Sequence, residues 1–263
     1  MAGQWRGLRL GAAHSPLFSM DTARIAALLE PFLEQSLPQS HLDQISIYID
    51  LLLRWNARIN LTAIRQEEEI VTRHFGESFF LARHLFPEQA EGERPMQQLN
   101  PSGGATGVPA RPPSTGRWPL ATGKCPPRVL DIGSGAGFPA LPLKLWAPQI
   151  NLTLIESNHK KAAFLREVAR ALTLTNINVL TDRAQDLAPS LSSQADVVTL
   201  RAVEHLETIL PQALAFLAPK GTMALLITTP QIPQVLTLTN LEWHTQTNVP
   251  KSHSRVLLLG YKA

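Results

Sequence analysis

Val129-Leu130-Asp131-Ile132-Gly133-Ser134-Gly135-Ala136-Gly137 reads as a buried strand running straight into a glycine-rich turn. Glycine lets backbone take positive φ and approach a ligand closely, and the helix start that follows offers free N–H groups to an anion. Working outward, short β-rich runs recur at 128–132, 151–155, 177–180, 196–200, 222–227 and 255–261. Helical patterns at 141–146, 159–172 and 204–217 lie between the first five of them. That alternation implies a parallel sheet covered on both faces, a doubly wound α/β fold in which ligands bind beyond the carboxyl ends of the strands.

Two acids narrow the ligand. Gly135, Gly137 and Ala140 formally satisfy the G-x-G-x-x-A fingerprint of nicotinamide cofactors, a weak match by itself. Asp131 opposes that reading, because a carboxylate at the strand end repels a pyrophosphate and attracts the ammonium of a methionine moiety. Glu156 closes the next strand about twenty residues further on, where a carboxylate accepts both hydroxyl hydrogens of a ribose. Together the acids favour S-adenosylmethionine over a dinucleotide.

Upstream, Ile25, Leu28, Leu29, Phe32 and Leu33 recur at helical spacing behind Asp21, a suitable N-cap. Further helices are expected over 41–57 and 67–85, so residues 20–86 read as a small helical region. Residues 87–127 crowd proline, glycine and serine, as in Pro101-Ser102-Gly103-Gly104, and are read as a flexible linker insertion. Residues 1–19 show no pattern and are read as a disordered extension, with Met20 as the natural start. The 128–263 segment is then the cofactor-binding domain.

The 263 residues carry 44% hydrophobic and 17% charged side chains, enough apolar material for a sizeable core. The net charge of +3 suits nucleic acid only weakly. One cysteine, Cys125, excludes an intramolecular disulfide framework and a cysteine-built zinc site, so a reducing cytoplasm is expected and no metal. Charges or prolines interrupt every hydrophobic stretch, which argues against a membrane partner.

Two blocks carry a resemblance to a known family. One is Arg54-Trp55-Asn56-Ala57-Arg58-Ile59-Asn60-Leu61-Thr62-Ala63-Ile64-Arg65, continued by Arg73-His74-Phe75-Gly76-Glu77-Ser78. The other joins the glycine turn and Phe138-Pro139 to Phe164-Leu165-Arg166-Glu167, Asp182-Arg183-Ala184-Gln185 and Arg201-Ala202-Val203. The chain resembles the small-subunit ribosomal RNA guanine-N7 methyltransferases, also called glucose-inhibited division protein B. The resemblance implies a mostly parallel seven-stranded sheet of the class I S-adenosylmethionine-dependent methyltransferase type. It also implies that Gly133, Phe138, Ala184, Gln185 and Arg201 contact the cofactor or line the reaction pocket. With Asp131, Ser134, Gly135, Gly137 and Glu156, these form the expected cofactor set.

Small-subunit ribosomal RNA, or the assembling small ribosomal subunit, is the partner so implied. Arg54, Arg58, Asn60, Arg65, Arg73 and His74 form one candidate RNA surface, and Lys160, Lys161, Arg166, Arg170 and Arg183 another. Arg201 is expected to position substrate through a phosphate or guanine O6. No Asn- or Asp-Pro-Pro-aromatic motif follows strand four, and Cys125 lies outside the pocket, which disfavours exocyclic-amine and pyrimidine-C5 acceptors. Three departures from the family pattern stand out. These are the long linker, Thr228-Thr229 where a lysine and glycine usually end strand five, and Glu77 where aspartate is usual. They leave open a non-catalytic, donor-binding ribosome-associated protein or a different methyl acceptor.

Overall fold

The computed structural model describes residues 20–87, 126–202 and 205–263. The expected extension at 1–19, nearly all of the 87–127 linker, Cys125 and Val203 fall outside the described residues. Three helical stretches come first: α1 (Thr22–Leu29), α2 (Gln39–Asn56) and a continuous run over 67–85. That run comprises α3 (Glu67–Glu69), a π-helical segment (Ile70–Gly76) and α4 (Glu77–Leu85). Asp21 caps α1 as expected, accepting from the Ala23 amide at 3.2 Å.

The remainder alternates β1 (Arg128–Ile132), α5 (Ala140–Trp146), β2 (Asn151–Ile155), α6 (His159–Ala171), β3 (Ile177–Leu180), α7 (Ala184–Leu191) and β4 (Ala195–Arg201). It continues with α8 (Leu206–Phe216), β5 (Leu217–Thr228), α9 (Ile232–Leu238), β6 (Glu242–Asn248) and β7 (Arg255–Tyr261). The seven strands form one sheet in the order β3-β2-β1-β4-β5-β7-β6, with β7 antiparallel to both neighbours and β1 to β5 parallel. The seven-stranded, mostly parallel architecture expected from the resemblance is present. Strand order reverses between β1 and β4, so the helices that follow them leave on opposite faces and a crevice opens beyond their ends.

Alternation sorts the strands between two cores. Val129, Leu152, Leu154, Val197, Ala224, Leu226, Leu257 and Leu259 join α1, α2, α4, α5 and α6 on one face. Leu130, Ile155, Val198, Leu200, Met223, Leu225, Val256 and Leu258 meet α7, α8 and α9 on the other. Both faces are covered, so the strands read as nearly continuous apolar runs. The helices of 20–87 share the first core with the sheet, and Tyr48, Phe75 and Phe79 are fully buried there.

Three elements are additional to the sequence expectation. Strand β6 lies at the sheet edge and alternates exposed with half-buried residues, so it lacks an apolar run. Helix α7 contains Pro189 and buries only Ala184, and α9 is short with a proline in its first turn. Strand β5 begins at Leu217, five residues ahead of the expected 222. Among the described residues, no helix is long and apolar enough to cross a membrane.

Candidate cofactor site and its buttress

The crevice beyond β1 and β4 is built on the glycine turn. Gly133, Gly135 and Gly137 have φ of +70°, +53° and +85°, backbone that L side chains rarely adopt. The amides of Gly133 and Ser134 donate to the Ile155 carbonyl at 2.9 and 3.1 Å, tying the turn to the end of β2. Among the described residues, a Cβ placed on Gly133 would meet nothing within 4 Å, and Gly133 is exposed: this is the open side of the turn. Gly137 is enclosed, and a Cβ there would collide with the Tyr48 hydroxyl and lie 2.6 Å from Leu141 Cδ1.

Asp131 sits beneath the turn, 1% exposed. Register pairs it with Thr199 on β4, whose hydroxyl donates to Asp131 Oδ1 at 2.6 Å. Asp131 Oδ2 is buried without a hydrogen-bond partner among the described residues, an acceptor that a cationic ligand would satisfy. Burial pushes the carboxyl up to about 7, and Glu156 adds to this; Thr199, Ser134 and Arg201 pull the other way. Ser134 is buried, its hydroxyl donating to the Asp131 carbonyl oxygen at 3.2 Å.

Glu156 closes β2 as expected, and its carboxylate is fixed by backbone. Oε2 accepts from the Gly135 amide and Oε1 from the Asn158 amide, each at 2.8 Å. Every carboxylate oxygen has a second lone pair, so ribose hydroxyls can still donate to the pair. Asn158 in turn caps α6, accepting from the amides of Lys160 and Lys161 at 2.9 and 3.2 Å. Ala184 opens α7 and packs in the same core as Ile132 and Ile155, the last residues of β1 and β2; Gln185 beside it is exposed.

Phe138 is enclosed by aromatic rings. Tyr48 lies parallel on it at 5.2 Å and 7°, His74 stacks at 4.6 Å and 15°, and Phe75 meets it edge-on at 5.0 Å. Three of these four rings come from the N-terminal helices, so those helices form a wall of the cofactor turn. The Asn56-to-Thr62 block explains itself here. Asn56 Oδ1 accepts from the amides of Leu61 and Thr62, and its Nδ2 donates to the Thr62 carbonyl. The turn so pinned presents the Thr62 hydroxyl to His74 Nε2 at 2.8 Å.

His74 does not lie on the surface with Arg73 as a phosphate contact. It is buried, and its Nδ1 stands 3.0 Å from Arg201 Nη1. Arginine only donates, so Nδ1 is the acceptor and Nε2 carries the proton toward Thr62. Burial first, then Arg201, Arg73 and Arg255, push its pKa down to about 2. The ring is neutral at any working pH.

Arg201, expected to reach a phosphate or O6, turns inward instead. Its Nη2 donates to the Arg73 carbonyl at 2.7 Å and to Glu77 Oε2 at 3.0 Å, and its side chain is 7% exposed. The same Glu77 oxygen accepts from Arg255 Nη1 at 3.1 Å. One carboxylate therefore joins the start of α4, the end of β4 and the start of β7. At the end of β5, Thr228 donates through both its amide and its hydroxyl to Gln231 Oε1 at 2.9 Å. Thr229 bonds the Ser254 carbonyl, tying the β5 end to the β6–β7 turn.

The remaining RNA-contact candidates are exposed or half-buried. Arg54, Asn60, Arg65 and Arg73 are exposed, as are Lys160 and Arg166, while Lys161 is half-buried. Arg166 is engaged with the Val179 carbonyl at 2.8 Å and the Thr181 hydroxyl at 2.7 Å. Tyr48 and Thr199 are absent from the set expected from sequence. Thr199 could have been found as the uncharged polar residue interrupting the β4 apolar run, and Tyr48 as a phenol on the apolar face of α2.

Residues 41–91 and 117–253 match the family model described as GidB, rRNA small subunit methyltransferase G. A protein named ribosomal RNA small subunit methyltransferase G from Roseiflexus castenholzii is 38% identical over 195 residues, covering 71% of this chain and 68% of that one. Its namesake from a second Roseiflexus strain is 37% identical, with the same coverage of each chain. A solved structure described as a SAM dependent methyltransferase from Aquifex aeolicus aligns with 54% of this chain and 85% of its own, at 16% identity and a TM-score of 0.46. Matched across both its helical wall and its glycine turn, the chain belongs to the GidB family of rRNA small subunit methyltransferases G.

Proposed function

We propose that this chain transfers a methyl group from S-adenosylmethionine to N7 of a guanine in small-subunit ribosomal RNA. The carrying observation is Asp131 Oδ2, a buried acceptor next to the glycine turn with no hydrogen-bond partner among the described residues. An ammonium supplies what that oxygen lacks. A pyrophosphate would instead bring further negative charge beside Asp131 and Glu156. Family membership supports the RNA substrate, and with it a cytoplasmic location on the assembling small subunit.

The residues fit the donor: Asp131 for its ammonium, Glu156 for its ribose, and the backbone of Gly133 and Gly135 for close approach. The donor, when bound, supplies an electrophilic methyl on sulfonium sulfur. Guanine N7 has a lone pair and no proton, so no residue has to act as a base. Neutral His74, closed off by Thr62 and Arg201, is consistent with a site that moves no proton. Holding methyl and N7 in line then supplies the rate. At the adjoining seam, Arg201 and Arg255 share the single carboxylate of Glu77, and the exposed Arg73 beside them adds a cation that RNA phosphates can reach.

Two tests follow. Purified chain and labelled donor should label small subunits from cells lacking the protein, with the label on guanine N7; label elsewhere, or none, rejects the assignment. Donor affinity should also depend on pH. Because the Asp131 carboxyl titrates at about 7 in the free protein, a cation must displace its proton below that pH. Binding should weaken by up to about tenfold per unit from pH 7 to 5.5, a range in which an α-amino group stays charged. The sign for folding is the reverse: the raised carboxyl contributes stability fully present below its unfolded value and lost as pH rises toward 7. Calorimetry at several pH values, with Asp131→Asn as the pH-insensitive control, checks the slope.

A further inference from the structure

The donor reading of the glycine turn leaves the Tyr48 hydroxyl without a role. Tyr48 lies on α2, is fully buried, and donates to the Ala136 carbonyl, 88 residues away in sequence, at 2.5 Å. The same hydroxyl occupies the space a side chain at Gly137 would need, and the ring lies flat on Phe138. One side chain thus touches three consecutive residues of the turn. Phe75 packs edge-on at 5.2 Å and Phe164 lies tilted at 6.2 Å, so the ring has little freedom to leave. Burial first, then Asp131, push the phenol pKa well up, so it remains a donor.

We propose that Tyr48 is a positioning residue for the methyl donor, its hydroxyl holding the Ala136-to-Phe138 backbone in the form that binds. This rests on the donor reading of the turn given above. A core tyrosine needs some acceptor when buried, but this one takes a carbonyl of the turn itself. The backbone it fixes is continuous with Gly135, whose amide holds Glu156. Losing the hydroxyl would leave the Ala136 carbonyl free to tilt and relax that geometry.

Tyr48→Phe keeps the ring and removes only the oxygen. Calorimetric titration with S-adenosylmethionine should show about tenfold weaker binding at unchanged stoichiometry. A merely structural role would lower the number of competent sites and leave the affinity of the remainder intact. Ile25→Ala, in the same core but on α1, touches no polar group and should lower the melting temperature while leaving affinity unchanged. The wild-type sequence offers a second measurement, since it contains two tyrosines, Tyr48 and Tyr261. In 3-fluorotyrosine-labelled protein, with Tyr261→Phe for assignment, the Tyr48 fluorine resonance should move on saturation with the donor. Equal affinities for wild type and Tyr48→Phe, equal weakening by Ile25→Ala, or an unmoved Tyr48 resonance at saturation each overturn the proposal alone. Absence of any wild-type binding overturns the donor reading itself.

Discussion

Gly137→Ala should abolish donor binding and destabilise the fold by about 2–5 kcal/mol, through backbone strain and overpacking acting together. At φ +85° an L residue is strained whatever the space around it. The space is also missing: the new methyl would run into the Tyr48 hydroxyl and Leu141 Cδ1, with Leu165 Cδ2 at 3.1 Å. None of these can retreat, because all three side chains belong to the core shared by the helices and the sheet. Thermal melting should fall by roughly 5–15 °C. Gly133→Ala is the informative contrast, with similar strain but open surroundings. It should lose binding while keeping most of the stability, and equal melting losses for the two variants would contradict the packing account.

Glu77→Ala should be the second severe change, costing about 3–5 kcal/mol, the range for removing one partner of a buried ion pair. Glu77 Oε2 serves Arg201 and Arg255 together, and the Arg201 guanidinium is almost wholly enclosed. Without the carboxylate, Arg201 keeps, among the described residues, His74 and the Arg73 carbonyl, neither of which is an anion to pair its buried charge. Pairing Glu77→Met with Arg201→Met should recover part of the loss, because a buried pair can be replaced by apolar packing with little penalty. A melting temperature within a degree or so of wild type for Glu77→Ala would show that the seam is hydrated and the pair weak.

These two sites differ in how far the sequence announces them. The glycine turn, Asp131 and Glu156 are legible because strand ends and turn chemistry are local, set by neighbours in the chain. The parallel strands are legible for the same reason, each being an apolar run buried on both faces. Strand β6 is hidden by its edge position, where only half of Glu242-Trp243-His244-Thr245-Gln246-Thr247-Asn248 touches protein. Side-chain partnerships are less legible still. His74 reads as a phosphate contact beside Arg73, yet it stands four residues from Ile70 and from Ser78, both buried, which puts it on the inner face of the helix. Arg201 reads as a free cation until the fold brings Glu77 to it across 124 residues. Nothing in local spacing encodes such a contact, because it depends on how two separate layers dock.

That docking has a consequence for how the protein can change over time. Tyr48, His74, Phe75 and Glu77 each meet a specific partner contributed by the strands or the turn, so the leading helices cannot be exchanged between distant relatives as an independent module. A recombinant that inherits one half from each parent would pair a phenol or a carboxylate with the wrong counterpart. Hybrids that remain active should be those in which the matched residues travel together, which makes this region a poor place for crossover and a good one for compensated double substitutions.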